Sequence, residues 1–222
     1  MWVVGKRRYD EGCAVAHSLD LIGERWALLI VRELLLGPKR FTDLRAGLPG
    51  ASADVLAQRL REMTESGVVR RRKLPPPAGS EIYELTEWGA DLGPVVTLLG
   101  RWGSRSASMD PAAHSSVDSL VLSLQALFNP QAARGFGATI GLSLNENRFT
   151  VEVTDGQLHV SRGEAEHPTA TLDTDRPTLA ALLYGGRSLD DAVRAGDAVV
   201  GGKTTVVTRF LGLFPLPAPA SQ

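Results

Sequence analysis

The stretch ESGVVRRRKLPPPAGSEIYELT, residues 65–86, decides how the first half of the chain is read. Four consecutive bases, Arg70 to Lys73, run straight into three prolines, and a strand-like alternation follows. VVRRRKL and SEIYELT are both short enough for strands, and Pro75, Pro76, Pro77 and Gly79 lie between them. That pattern predicts a hairpin with a stiffened, protruding tip. A run of bases alone usually marks a solvated surface. On a strand that directly follows a helix, some of the same side chains can face phosphates while others alternate to the opposite side.

The helix in question runs from Ser52, a natural N-cap, to Ser66, with Gly67 as its stop. Leu56, Leu60 and Met63 are spaced four and three apart and form its inward stripe. At about 100° per residue, Asp54, Gln58 and Arg61 lie on the side away from that stripe. Ahead of it, RFTDLRAGL predicts one short helix carrying Phe41, Leu44 and Leu48, and PGAS a tight turn. A short helix, a tight turn and a second helix with outward hydrogen-bonding side chains form a helix-turn-helix. Glutamine can pair with adenine and arginine with guanine in the major groove. Many amphipathic helices have a polar outer side, so it is the wing-like hairpin behind this one that favours a nucleic-acid reader.

Further upstream, Cys13 to Ile22 reads as a short helix with Val15, Leu19 and Ile22 on one side. Glu24 to Leu36 is so apolar that burial on nearly all sides is expected, and Gly37-Pro38 ends it.

Bulk properties neither make nor break this reading. The chain of 222 residues has a formal net charge of −1. Residues 1–110 carry 16 Lys and Arg against 14 Asp and Glu, and residues 111–222 carry 8 against 11. Residues 59–73 alone hold six bases against two acids, so the positive charge is local. No apolar run approaches the roughly 18–20 residues of a membrane span, and MWVVGKRRYDEG has no apolar segment after its bases, unlike a secretory signal. The single cysteine, Cys13, excludes an internal disulfide framework and suits a reducing cytoplasm.

The small, polar segment RSASMDPAAHSS, residues 105–116, is the expected seam between two domains, 1–108 and 115–216. Beyond it, Val117, Leu120, Val121, Leu124, Leu127 and Phe128 form a helical stripe. GATIGLSLNENRFTVEVTDGQLHVSRG then alternates at period two, with hairpin turns at Asn145-Glu146-Asn147 and Asp155-Gly156. PTATLDTD is another strand. Helices are expected over Pro177–Tyr184, Ser188–Ala195 and Thr204–Phe214, and the tail FPLPAPASQ reads as frayed and extended. Strands followed by covering helices make an α+β domain.

The first half resembles the HxlR-type winged-helix regulators, relatives of the MarR group. The stretches carrying the resemblance are CAVAHSLDLIGERWALLIVRELLLGPKRFTDLRAGLPG, LAQRLREMTESGVVRRR and YELTEWGADLGPVVTLLGRWG, in the family's order and spacing. The resemblance implies a cytoplasmic homodimer on a palindromic double-stranded DNA operator. Its dimer contacts would come from the N-terminal helix and from a helix near Trp88, capped by Thr86, with the stripe Leu92, Val95, Val96, Leu99 and Trp102. Candidate DNA-binding residues are Lys39, Arg40, Thr42, Ser52, Asp54, Gln58, Arg61, Arg72 and Lys73. Two departures stand out: Cys13-Ala14-Val15 where the family commonly has Cys-Pro-Val, and Ser52-Ala53-Asp54 where it has a Ser-Pro-Asn type of sequence. Asp54 would repel phosphate but could accept from a cytosine amino group. Cys13 matches a position at which some members sense oxidants, the alternative being a small half-buried side chain at a helix start.

The second half resembles the sterol carrier protein type 2-like fold, most specifically over PTATLDTDRPTLAALLYGGRSLDDAVRAGDAVVGG and FLGLF. The resemblance implies an apolar cavity for a hydrophobic small-molecule effector, with Leu124, Phe128, Phe149, Leu182, Phe210 and Phe214 as candidate lining residues; ordinary core packing is the competing reading.

Nothing in the sequence points to an enzyme or a cofactor. His17, His114, His159 and His167 lack metal-ligand spacing, VVGGKTT lacks the earlier glycine of a phosphate loop, and there is no GxSxG elbow. The expected molecule is a dimeric repressor with an effector domain. The alternatives are a redox regulator acting through Cys13, or a lipid carrier whose winged helix contacts proteins.

Overall fold

Helix α1 (Ala14–Ile22) begins one residue after Cys13, which occupies the N-cap. The structure is a computed structural model and describes residues 8–77, 79–110, 113 and 115–220; His114, and Pro111 and Ala112 of the expected seam, lie outside the described residues. The chain divides into two units between Val96 and Thr97.

In the first unit, α2 (Ala27–Leu34) is shorter than the apolar run that encodes it. Trp26 takes φ 81°, a left-handed conformation that costs a bulky residue energy and prevents helical continuity with Glu24. The helix is also not enclosed all round: Leu29 is exposed, and the buried side is Ala27, Ile30, Val31 and Leu34. A two-residue strand, β1 (Lys39–Arg40), precedes α3 (Phe41–Gly47). Helix α4 (Ala53–Glu65) follows, with the Ser52 hydroxyl accepting from the Val55 amide, and Gly67 leaves it at φ 77°. Strands β2 (Val69–Lys73) and β3 (Glu81–Leu85) form the hairpin, and β1 adds to the outer side of β3, giving the antiparallel order β1-β3-β2.

The helix expected near Trp88 is two helices. The Thr86 hydroxyl caps α5 (Glu87–Ala90), and α6 (Gly93–Gly103) starts separately. Pro94 explains the interruption: its ring would clash with the Ala90 carbonyl, and it disfavours helical backbone at Gly93. The core of this unit joins α2, α3 and α4 through Ile30, Leu34, Leu44, Leu56, Leu60 and Met63. No residue of α6 is buried; Val95, Leu98, Leu99 and Trp102 are exposed apolar side chains along it.

In the second unit, α7 (Val117–Leu127) is capped by Ser116. Strands β4 (Ala138–Leu144), β5 (Asn147–Thr154) and β6 (Gln157–Arg162) form an antiparallel meander. Its second turn has Asp155 at φ 52° and Gly156 at φ 73°, as a two-residue hairpin of right-handed strands requires. Strand β7 (Ala170–Thr174) joins β4 in parallel. Helices α8 (Arg176–Tyr184) and α9 (Leu189–Ala195) follow, capped by Asp175 and Ser188. Strand β8 (Ala198–Gly202) and helix α10 (Thr204–Leu211) complete the unit, with the sheet in the order β6-β5-β4-β7-β8. Ile140, Leu142, Leu144, Phe149, Val151 and Val153 bury one face of the sheet.

Neither β1 nor β8 is visible in the sequence pattern. The first is too short to alternate, and the second is AVVGG, whose glycines argue against a strand until β7 supplies the pairing. As far as Ala220 the tail is fastened rather than frayed, and Ser221 and Gln222 lie outside the described residues. Ala220 donates its amide to the Arg105 carbonyl at 2.8 Å, and Arg105 donates to the Ala218 carbonyl at 3.3 Å.

Candidate nucleic-acid interface

Helix α4 presents Asp54, Gln58 and Arg61 outward, all exposed, while Leu56, Leu60 and Met63 fix the opposite side in the core. The outward groups are not idle. Arg61 donates to the side-chain Oε1 of Gln58, Gln58 donates from its side-chain Nε2 to Glu62 at 2.7 Å, and Arg59 pairs with the same Glu62. Arg59 also lies 3.7 Å from Glu24, tying the connection between α1 and α2 to the helix. The polar face is therefore a connected chain of donors and acceptors. Gln58 and Arg61 satisfy one another until a base edge offers the same groups.

The cationic hairpin is neutralised in part by its own partner strand. Arg70 reaches Glu84 at 2.7 Å, and Arg72 grips the same carboxylate with its Nε and Nη2, at 3.1 and 3.2 Å. Arg71 pairs with Glu81. Lys73 has no carboxylate partner among the described residues. The arginines keep half or more of their side-chain surface exposed, so they can meet phosphates while held in direction. Glu84 is the best enclosed of the group, and the hydrogen bond from Arg72, with that from Arg70, holds its pKa below the ordinary carboxylate value despite burial. Glu81 and Glu84 were legible only as the alternation of EIYE. That they face the basic strand follows from the register, which opposes Arg70 to Glu84 and Lys73 to Glu81.

The remaining candidates sit around the helix pair. Lys39 points inward, with 15% of its side chain exposed and its ammonium 2.6 Å from the fully buried carboxylate of Glu33. Arg32 contacts the other oxygen of Glu33 at 2.9 Å. Arg40 and Thr42 are exposed at the start of α3, where the Arg40 amide donates to Asp43. Ser52 is exposed and serves as the cap of α4. Cys13 is exposed and makes no capping hydrogen bond, but the amides of Ala16 and, next, Val15 at the start of α1 lower its thiol pKa.

In the second unit the six candidate lining residues are all buried. Leu182 and Phe214 line a cavity of about 460 Å³ together with Leu183, Leu211, Arg187, Ser188 and Thr208. Phe149 belongs instead to a smaller recess of about 200 Å³ beside Arg148 and Glu164. Phe210 and Phe128 pack on Phe214, at ring separations of 5.1 and 6.2 Å. Arg187 and Thr208 carry no sequence signal of their own, and Ser188 only that of a helix cap; the cavity exists because α8, α9 and α10 converge. Among the described residues no group of three metal-ligating side chains occurs, and no helix is long and apolar enough to cross a membrane.

Each half of the chain matches a different protein family. The model of the HxlR-like helix-turn-helix family matches residues 21–111, and that of the alkyl sulfatase C-terminal family matches residues 105–220, just over half of the chain. The HTH-type transcriptional regulator YvaP of Bacillus subtilis is 37% identical, over 39% of this chain and 81% of that protein. The regulator Rv3095 of Mycobacterium tuberculosis is 40% identical, over 42% of this chain and 58% of that protein. Among solved structures, the redox regulator HypR in its oxidized form is 31% identical with a TM-score of 0.41, covering 44% of this chain and all of that one. The chain thus belongs to the HxlR-like helix-turn-helix family, whose members are DNA-binding transcriptional regulators that act as dimers and are not enzymes, and over its second half to the alkyl sulfatase C-terminal family.

Proposed function

We propose that the protein is a dimeric repressor of a palindromic operator, with α4 in the major groove and the β2–β3 wing against flanking phosphates. The observation that carries the reading is the exposed series Asp54, Gln58 and Arg61, the last two hydrogen-bonded to one another, on a helix whose other side is locked in the core. Arg72 and Lys73, with Arg40, Thr42 and the Ser52 cap around the helix pair, supply affinity and register rather than sequence reading, while Lys39, expected among them, is turned inward onto Glu33 and braces the wing instead. Two copies of α4 must sit about 34 Å apart to enter successive major grooves. The cavity bounded by Leu182, Leu211 and Phe214 supports the second half of the proposal, that a hydrophobic small molecule shifts this spacing. Such an effector relieves repression only if it binds the DNA-incompetent form more tightly. The sterol-carrier-like reading of this unit, with domain limits of 1–108 and 115–216, rests on the order of its helices and strands.

Selection from a pool of random duplexes tests the reading. A two-fold symmetric sequence, bound with a steep salt dependence, is the expected result. Recovery of no preferred sequence, or binding that is indifferent to salt, rules out an operator-binding regulator and favours the lipid carrier.

A second reading adds a redox input at Cys13. Its exposed position and the thiol pKa lowered by the helix-start amides favour it.

A further inference from the structure

The sheet of the second unit ends at β8, and the outer edge of that strand has no backbone partner among the described residues. Edge strands of soluble proteins are ordinarily defended by charge, proline or a bulge. The opposite edge, β6, carries His159 and Arg162. Strand β8 reads AVVGG, without a charge or a proline, and its Val199 is 65% exposed.

The charges stand immediately outside the strand, and their placement is symmetric. Asp197 lies three residues before Val200 and Lys203 three residues after it. When two copies of a strand pair antiparallel about a two-fold axis at Val200, each residue faces the one equally far on the other side. Asp197 then meets the partner's Lys203, and Lys203 meets the partner's Asp197. Val199 faces the partner's Gly201, which has no side chain of its own to oppose it, the neighbouring Thr171 hydroxyl lying over that glycine. A slipped register loses both charge contacts, and a parallel pairing sets like charges side by side. Both groups are exposed, and the Lys203 ammonium has no carboxylate partner among the described residues. Asp197 engages Arg187 through one oxygen, at 2.5 Å, which leaves the other for a second cation.

We infer that β8 pairs antiparallel with β8 of a second copy of this chain, centred on Val200, joining two five-stranded sheets into one of ten strands. The contact is short and needs the high effective concentration that dimerisation of the regulator supplies.

Because Cys13 is the only cysteine, the pairing can be read by site-directed cross-linking in the full chain. In a Cys13→Ser background, Val200→Cys treated with a short bis-maleimide is expected to give covalent dimer at least about fivefold above His159→Cys, on the opposite edge of the sheet. Adding Lys203→Glu to the Val200→Cys chain sets two carboxylates face to face and lowers the yield to the His159→Cys level. Asp197→Lys does the same with two ammonium groups. Mixing the Lys203→Glu and Asp197→Lys chains restores both contacts, so cross-linking returns as a heterodimer identified by mass. A generally destabilised variant would not recover on mixing. Val200→Cys cross-linking no better than His159→Cys, as it would if the edge takes a different protein's strand, overturns the inference. So does insensitivity to Lys203→Glu, or a mixture that stays uncoupled.

Discussion

The ammonium of Lys39 lies 2.6 Å from the carboxylate of Glu33, and that carboxylate has no solvent-exposed surface. With Arg32 on its other oxygen, Glu33 ties α2 to β1 at the root of the wing. Removing one member of a buried ion pair leaves a charge that water cannot reach, at a cost of about 3–5 kcal/mol. Lys39→Ala is therefore expected to lower the urea midpoint sharply, with stability lost on the order of 3 kcal/mol. The double change Glu33→Met with Lys39→Met should cost less than Lys39→Ala alone. If Lys39→Ala instead retains full stability and loses only DNA affinity, the pair is not what holds the wing.

Glu84 holds Arg70 and Arg72 together, so its charge subtracts from what the wing offers a phosphate. Glu84→Gln is expected to raise non-specific DNA affinity severalfold and to steepen the salt dependence by about one unit of slope. A titration at several salt concentrations gives both numbers. An unchanged slope would mean that these arginines do not face the duplex.

The same residue sets a pH dependence. Its pKa is lower in the folded protein than the ordinary 4.5, so its contribution to stability is complete above that value and is lost as pH falls through the folded-state value. Thermal melts of the wild type and Glu84→Gln should differ at neutral pH and converge in acid. Curves that stay parallel down to the acid limit would refute the assignment.

Gln58 and Arg61 are expected to read bases. Each change to Ala should reduce discrimination between the operator and a mismatched duplex by about 1–3 kcal/mol. Since the two side chains bond one another, the double variant should fall short of the sum of the singles. Arg72→Ala or Lys73→Ala should weaken binding to every sequence alike. Competition titrations with matched and mismatched duplexes separate these outcomes.

Cys13 should alkylate faster at neutral pH than a free cysteine, because its amide neighbours lower the thiol pKa and enlarge the thiolate fraction. Iodoacetamide kinetics between pH 6 and 9 should show the rate levelling off at a lower pH than for cysteine itself. Cys13→Ser should leave DNA affinity intact and abolish any response to oxidant. A variant that still responds places the redox input elsewhere.

Much of this molecule was decided by signals that act within a few residues. Ser52, Thr86 and Ser188 cap helices through amides three positions on, Asp155-Gly156 turns a hairpin, and Leu56, Leu60 and Met63 fix the inward side of α4. These rest on local sterics and local hydrogen bonds, so the order of residues states them directly. The local signals misled where they ignored backbone conformation: Trp26 in a left-handed region and Pro94 inside an apolar stripe each divide what the periodicity joins.

The long-range pairings were settled only when the chain closed on itself. Nothing in RRRK shows that Glu84, more than ten residues away, absorbs two of its arginines, or that the buried end of Lys39 is Glu33 rather than solvent. Strand β8 exists because β7 provides its hydrogen bonds, and the cavity because α8, α9 and α10 meet around Leu182 and Phe214. Sequence therefore determined which segments turn helical or extended and which side of α4 faces out. Tertiary structure decided which charges remain free, because ion pairing depends on register and burial between segments that the chain brings together only on folding.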